Sequence, residues 1–184
     1  MFKSALFALI AGTLFFHAAT LAEELPADTK ALLDAEITAI KPLSTDATIV
    51  AAVKKYNEAP PSTMTNDAWK KLTLLSPEVK SLVKSTIGQY LKKKQSSTIT
   101  EMFLNGADGG KVAFLSKTTS WNHKGKAKHD DPMEGKTWIG PVEVDESSGA
   151  QQIQVAIPVL DGDQPIGSLV IGFGVAQMKE KSGK

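Results

Sequence analysis

The residues best suited to chemistry lie together in residues 117–138, "KTTSWNHKGKAKHDDPMEGKTW". This segment contains two tryptophans, two histidines and three carboxylates among its lysines. Imidazoles and carboxylates can bind metals or transfer protons, and indole rings can enclose a ligand. Because neither a helical nor an alternating pattern covers the segment, it could hold a ligand, a metal or a reacting group, or form a solvated loop on a sheet.

A zinc site is the first alternative for this segment. His123 and His129, with Asp130 and Asp131, could supply two imidazoles and a carboxylate. The offset between the two histidines has no rigid helical or turn spacing that would aim both rings at one ion. We therefore predict no metal site and interpret both histidines as solvated, with a metal-dependent hydrolase as the less favoured alternative.

Other catalytic patterns are missing from the sequence. It has no G-x-S-x-G motif, no cysteine and no phosphate-binding glycine loop. After residue 22, the only histidines lie in the irregular segment, away from an identifiable nucleophile. We predict that the chain is not an enzyme and requires no cofactor.

The charged residues limit the class of partner. All 21 basic residues are lysines, and without residues 1–22, which contain one of them, the formal charge is zero. No net charge attracts nucleic acid, so no nucleic-acid partner is predicted. Because arginine is absent, a bound anion would meet lysine, backbone amides or hydroxyls instead of a planar guanidinium.

Residues 1–22 have the pattern of an export signal. Lys3 precedes an apolar stretch at residues 5–16, and the small residues Thr20 and Ala22 follow. We expect cleavage after Ala22 and a periplasmic or secreted product, with retention of the segment as a short anchor as the alternative. Without cysteine, the exported chain would form no disulfide.

The next part of the chain, residues 23–96, is predicted to be a helical segment. Apolar residues recur at helical spacing, and proline and small polar residues mark the boundaries. The predicted helices span residues 28–40, residues 44–57 with Ser44 or Thr45 as the cap, residues 66–75 and one long helix at residues 76–94. A homodimer through the first helix is left open.

The second half of the chain changes to the alternating pattern of strands. The predicted strands span residues 99–105, 112–116, 142–146, 151–160 and 166–175. Helices followed by five strands in meander order predict an α+β fold, with N-terminal helices packed on a five-stranded antiparallel sheet over residues 97–177. Gln152 and Gln154 lie on the polar face and are predicted to meet solvent.

Two other segments complete the predicted domain. The connection at residues 117–141 is longer than a hairpin needs and carries both Trp121 and Trp138, which predicts an ordered flap over one sheet face. Residues 178–184 are polar and are predicted to be a frayed tail.

An ordered set of motifs in the second half resembles a known family. These are Glu101 before the turn Asp108-Gly109, then Thr119-Ser120-Trp121, then Val144-Asp145-Glu146-Ser147, and finally Gln152-Ile153 through Pro158-Val159 to Ile166-Gly167. In this order they resemble the extracytoplasmic Cache sensor domains, also called PDC or extracellular PAS-like domains. The resemblance implies a PAS-like sheet, a ligand held between the sheet and the flap, and a membrane-bound receptor or kinase as partner.

The resemblance also implies which residues contact the ligand. The candidates are Trp121 and Trp138 as walls, Asp145 as an acceptor, Lys124 or Lys126 as the positive group, and His123. The tryptophans could instead only pin the flap, and Asp145 could instead cap a turn. The alternative for the whole domain is a pocketless interaction module that docks on a partner.

The chain departs from the family at the ligand-binding segment. Family members commonly read W-x-G-D-E after this tryptophan, where residues 121–126 here read "WNHKGK". The arginine that family members place on an amino-acid carboxylate is also absent. The ligand class therefore stays open between a small carboxylate, an amine and an amino acid.

Overall fold

The computed structural model describes residues 25–61, 63–145 and 149–183. The export signal predicted for residues 1–22 and part of the Val144–Ser147 motif lie outside these ranges. Among the described residues, no helix is long and apolar enough to cross a membrane.

The described residues form an α+β fold, which confirms the predicted class. The helices are α1 (Ala27–Ile40), α2 (Ala47–Glu58), α3 (Asn66–Lys71), α4 (Pro77–Lys84), α5 (Thr86–Lys94), α6 (Ala127–Met133) and α7 (Val175–Ser182), with a 3₁₀ turn at Lys41–Thr45. The strands are β1 (Ile99–Gly106), β2 (Lys111–Phe114), β3 (Trp138–Val144), β4 (Gln151–Asp161) and β5 (Gln164–Gly174).

The five strands form one antiparallel sheet in the order β2-β1-β5-β4-β3, so the predicted meander order is wrong. β1 pairs with β5 at the centre, where Leu104 lies opposite Leu169. In β1, Met102, Phe103 and Leu104 are all fully buried, and such a strand is stable between two neighbours rather than at an edge. The chain must therefore cross from β2 at one edge to β3 at the other.

Each face of the sheet has its own apolar core. On one face, helices α1, α2, α5 and α7 pack on the sheet through residues that include Leu33, Ile49, Val53, Leu91, Leu104, Ile171, Phe173 and Met178. On the other face, the core contains Trp69, Val79, Phe103, Phe114, Trp121, Ala156 and Val170. Phe103 and Leu104 thus point to opposite faces, as neighbours in a strand do.

Two helix predictions need correction. The long helix predicted for residues 76–94 is two helices, because Ser85 accepts a hydrogen bond from the Gly88 amide at 3.0 Å and donates one to the Leu82 carbonyl at 2.7 Å. Ser85 thereby ends one helix and caps the next. The cap of α2 is Asp46, which accepts from two amides in the first turn, rather than Ser44 or Thr45.

The predicted frayed tail is wrong up to Ser182. Residues from Val175 form α7, whose Met178 is fully buried in the helix-side core. Lys181 also contacts the buried Glu36 of α1, with 2.8 Å between Nζ and Oε1. A polar composition hid this helix because only two of its side chains, Val175 and Met178, are buried.

The connection between β2 and β3 is ordered and crosses the sheet face opposite helices α1, α2, α5 and α7. It contains α6, and β3 begins at Trp138, four residues before the predicted start. The indole N–H of Trp69 donates to the Thr118 carbonyl at 2.7 Å, and the His123 amide donates to the Gly109 carbonyl at 2.9 Å. These bonds fix the first half of the connection to α3 and to the β1–β2 turn.

Both histidines of the connection are buried, so the prediction that they are solvated is wrong. His123 is 3% exposed and His129 is 1% exposed. Nδ1 of His129 lies 2.8 Å from the Ser168 hydroxyl of β5, and Nδ1 of His123 lies 2.6 Å from Nζ of Lys111 on β2. Because the connection lies over the sheet, its inward side chains meet strand residues and not water.

We expect Trp69→Phe to destabilise the protein by about 1–3 kcal/mol, because it leaves the buried Thr118 carbonyl without its donor. Trp138→Phe is the control, since it makes the same ring change at a half-buried position on β3. Urea unfolding of both variants measures the effect. Equal destabilisation by the two changes would show that the indole hydrogen bond does not anchor the connection.

Burial of His129 predicts a pH-dependent stability. Burial lowers its pKa below the ordinary value of 6.5, so below that pH the unfolded chain binds a proton that the folded chain does not. Stability should fall as the pH falls from 7.5 to 5.5, by at most about 1.4 kcal/mol per pH unit for this group. His129→Asn, which keeps an acceptor for Ser168, should reduce that dependence in urea unfolding. If the free energy of unfolding depends on pH equally in His129→Asn and in the unaltered chain, the prediction is wrong.

Candidate functional site

A pocket of about 490 Å³ lies between the sheet and the β2–β3 connection. Its described lining consists of Glu101, Phe103, Thr118, Thr119, His123, Lys126, Lys128, Glu143, Val144, Asp145, Gln152 and Gln154. Ten of these twelve residues are polar or charged. The pocket is therefore suited to a hydrophilic guest.

The floor of the pocket is a hydrogen-bonded cluster of side chains from β1 and β4. Oε2 of Glu101 accepts from the amide of Gln154 at 2.6 Å and from that of Gln152 at 3.1 Å. Oε1 of Gln152 accepts from the Thr100 hydroxyl at 2.7 Å. Each amide is thus held in one orientation, and the Glu101 carboxylate is fixed in place.

Gly172 allows this cluster to form. It lies on β5 between the two strands, opposite Glu101 on β1 and Gln154 on β4. A Cβ at position 172 would collide with the side-chain oxygen of Gln152. The missing side chain lets groups from β1 and β4 meet across the strand that separates them.

The glutamines were predicted to face solvent, and this prediction is wrong. Gln152 is 2% exposed, and Gln154 is half-buried beneath the connection. Alternation correctly separates the two faces of β4, but it does not indicate what covers each face. The polar face lies under the crossing connection, so its amides line a pocket instead of a wet surface.

A second charge lies close to Glu101. Nζ of Lys128, on α6, donates to Oε1 of Gln154 at 2.5 Å, so one amide joins the ammonium to the carboxylate. Burial raises the pKa of Glu101, and the two glutamine hydrogen bonds oppose that rise. Burial lowers the pKa of Lys128, and the charge of Glu101 opposes that fall. Both groups are partly deprived of water and can gain from a complementary ligand.

A buried lysine lies behind the wall of the pocket. Lys111, at the start of β2, is completely buried. Its Nζ lies 2.7 Å from Oδ1 of Asn105, 2.6 Å from Nδ1 of His123 and 4.0 Å from the ring centre of Phe103. Burial lowers the pKa of Lys111 well below its ordinary value. His123 connects this cluster to the pocket, since its ring is a lining residue.

Three of the sequence-predicted ligand residues line the pocket. These are His123, Lys126 and Asp145. Asp145 also closes a turn through its backbone, accepting from the Gly149 amide at 2.7 Å and donating to the Ala150 carbonyl at 2.9 Å. These are backbone hydrogen bonds, whereas the capping interpretation concerned the side chain of Asp145, so both ligand contact and side-chain capping by this residue stay predictions.

The other three predicted residues are not part of the described lining. Trp121 is buried against Trp69, with ring centres 5.3 Å apart, and Trp138 is half-buried beside the same core. Lys124 is exposed to solvent. Trp121 thus packs the connection onto the domain, as the packing interpretation expects. Ligand contact by these three residues stays a prediction.

The sequence analysis missed several residues that line the pocket or support its lining. Lys128 comes from α6, a helix that the sequence did not predict, and Glu101 was noted only as a motif residue. Lys111 gave no signal, because a lysine at the start of a strand is normally solvated. Gly172 was the one usable signal, since a strand glycine indicates close approach by a neighbouring group.

The histidines are arranged differently from a metal site. The Nδ1 atoms of His123 and His129 contact Lys111 and Ser168, respectively. Within the described ranges, no three His, Cys, Asp or Glu residues are grouped so that they could hold an ion.

No protein-family model matches the chain, and no curated protein matches its sequence. Similar solved structures include the sensor domain of the V. cholerae histidine kinase DctB, with 17% identity and a TM-score of 0.44 over 84% of this chain and 60% of that chain. The sensory domain of the Campylobacter jejuni chemoreceptor Tlp3 with isoleucine bound has 14% identity and a TM-score of 0.44, over 86% of this chain and 67% of that chain.

A third similar structure is the ligand-binding domain of the Pseudomonas aeruginosa amino-acid chemoreceptor PctC in complex with GABA. It has 10% identity and a TM-score of 0.45, over 84% of this chain and 60% of that chain. The chain thus spans about three fifths of the length of the DctB and PctC domains. All three of these similar proteins are sensor or ligand-binding domains.

Proposed function

We propose that this chain is an exported, non-enzymatic domain of sensor type that holds a small polar metabolite between its sheet and the β2–β3 connection. In this proposal, the liganded domain is presented to a membrane-bound receptor or kinase. The observation that carries the proposal is the pocket of about 490 Å³ with charged, partly buried groups of both signs. Its volume lies in the range of about 300–1,000 Å³ that is common for small-molecule sites.

The shifted pKa values support binding in this pocket. Burial raises the pKa of Glu101 and lowers the pKa of Lys128, so in both residues the loss of solvation disfavours the charged form. Groups with such shifts cluster at functional sites. A ligand that carries complementary charges would recover part of the lost solvation of both side chains.

The same charges favour a ligand class. His123, Lys126 and Lys128 can meet a carboxylate, whereas Glu101, Glu143 and Asp145 can meet an ammonium group. A small carboxylate, an amine or an amino acid fits one or both sets. Isoleucine and GABA, which occupy two of the similar sensor domains, belong to this class. Without arginine, the carboxylate would be held by separate point donors rather than by one bidentate fork.

The rival functions fit the pocket less well. An interaction module without a pocket would have the space under the connection filled by side chains, whereas this space is a cavity. A metal-dependent hydrolase would need at least one more ligand near two histidines whose Nδ1 atoms already contact Lys111 and Ser168.

Export to the periplasm or outside the cell rests on the pattern of residues 1–22.

A thermal-shift screen with small carboxylates, amines and amino acids should find a compound that stabilises the protein. At 100 times its Kd, such a ligand adds about 2.7 kcal/mol to the free energy of unfolding. A matched set with the charged group methylated or amidated serves as the control. Failure of all three classes to shift the melting temperature at millimolar concentrations would contradict the proposed function.

We expect Lys128→Met to weaken binding of a carboxylate-bearing compound from this screen about 10- to 100-fold, because a hydrogen bond to a charged group is lost. Lys124→Met is the matched control, since Lys124 is an exposed lysine of the same connection outside the described lining. Isothermal titration calorimetry measures both. Equal affinities of the two variants would place the ligand elsewhere.

A further inference from the structure

A chain of five buried polar side chains begins at the pocket and ends at α6. Its members are His123, Lys111, Asn105, Ser168 and His129, and each is at most 3% exposed. Consecutive polar atoms lie 2.6, 2.7, 2.8 and 2.8 Å apart. In a buried chain of this kind, a group with fixed donor or acceptor character determines the direction of every other bond.

The direction of these hydrogen bonds is fixed at the His129 end of the chain of side chains. The ring of His129 makes a hydrogen bond with the backbone of Ala107, which favours protonation of the ring. The Ala107 amide already donates to Asn57 at 2.9 Å, so the carbonyl is the group that accepts from the ring N–H. Neutral His129 therefore has Nδ1 as its acceptor, and Nδ1 receives the hydroxyl proton of Ser168.

This direction passes along the chain to Lys111. Because the single hydroxyl proton of Ser168 is donated in the hydrogen bond to Nδ1 of His129, the Ser168 oxygen accepts from Nδ2 of Asn105 at 2.8 Å. Oδ1 of Asn105 then faces Nζ of Lys111 at 2.7 Å and accepts from it. Each step follows from the one before, because serine has one proton and an amide has distinct donor and acceptor ends.

Lys111 has further N–H groups, and one of them is directed at His123. Its Nζ lies 2.6 Å from Nδ1 of His123, and the Phe103 ring, 4.0 Å away, covers its remaining side. As an ammonium group Lys111 can only donate, so Nδ1 of His123 accepts from it; the charge of Glu101 favours this charged form, whereas burial favours the neutral amine. Burial, together with the charge of Lys111, lowers the pKa of His123, which agrees with an unprotonated Nδ1.

The ring proton of His123 is then on Nε2, the nitrogen on the far side of the ring from Lys111. His123 lines the pocket, and the side-chain hydrogen bond that the described structure gives its ring is the one at Nδ1. The wall of the pocket thus offers an N–H donor. Without Lys111, the same ring could place either its donor or its acceptor toward the pocket.

We propose that Lys111 is a positioning residue that holds His123 in the Nε2–H form, so that this wall donates a hydrogen bond to an acceptor oxygen of the ligand. This inference rests on the proposed function, since it describes how the same pocket selects its guest. Other titratable groups near the ring are Lys126, Lys128 and His129 on the connection, Glu101 on β1, and Glu143 and Asp145 at β3. Of these groups, none is within hydrogen-bonding distance of Nδ1 in the described structure.

Long-range ¹H–¹⁵N NMR of the full chain tests this directly, because it identifies the protonated nitrogen of each histidine ring. The signals of His123 are assigned from their loss in His123→Asn. We expect the Nε2–H form without titration from pH 8 to pH 5.5. A proton on Nδ1, or titration near the ordinary value of about 6.5, would overturn the proposal.

Lys111→Met should release the ring of His123, giving a mixture of tautomers or a titration within that pH range. Lys124→Met, the control, should leave the His123 spectrum unchanged. An unchanged spectrum in Lys111→Met would refute the assigned role. If that variant does not fold, the spectrum of the unaltered chain still decides the tautomer.

Ligand binding separates this proposal from the proposed function. The affinity of the unaltered chain for a carboxylate-bearing compound from the screen should change little between pH 7.5 and 5.5 on account of His123, because its ring does not titrate in this range. Lys111→Met should bind about tenfold more weakly at pH 7.5 and recover at pH 5.5, where a protonated ring donates from both nitrogens. If no compound binds, the proposed function fails, while the NMR result still supports or overturns the role of Lys111.

Discussion

The pairing of β1 with β5 at the centre of the sheet is the constraint on which the rest of the structure depends. It places β2 and β3 at opposite edges, four strand spacings apart, which is roughly 19 Å. The connection between them must cross one whole face, so that face becomes an interior. The Trp69–Thr118 anchor, the burial of His123 and the polar pocket all follow from this crossing.

The buried polar groups under the connection are tolerated because each is hydrogen-bonded. Among the described residues, no buried side-chain nitrogen or oxygen lacks a partner. Glu101 and Lys128 share one amide of Gln154, which connects opposite charges without direct contact between them. Both charged groups therefore remain beside the cavity, whereas in a direct ion pair each would be neutralised by the other.

The sequence predicts the layers of this fold better than their connections. Alternation in β4 correctly separates Ile153 from Gln152, and helical spacing locates the N-terminal helices. Sheet order is different, since the position of β1 between β2 and β5 depends on which strands are covered on both faces. That property arises from contacts far apart in the chain, and local periodicity cannot report it.

In the candidate site too, the sequence predicts what depends on residue type and misses what depends on contacts far apart in the chain. His123, Lys126 and Asp145 could be selected because their chemistry is evident from their types. The role of Gln152 depends on what covers its face, and that of Lys111 depends on three partners from β1 and the connection. Trp121 was chosen for its aromatic ring, but a large ring in a crossing segment also packs well on Trp69.

Lys111 is difficult to explain as a contribution to stability alone. A completely buried ammonium loses its solvation, and well-packed apolar replacements of buried charged clusters are often neutral or stabilising. Lys111 nevertheless has acceptors at Asn105 and His123 and the ring face of Phe103. An apolar side chain could fill the same volume, but it could not fix the tautomer of a neighbouring imidazole. The cost of burying this lysine is therefore best understood through the donor that it creates in the pocket wall.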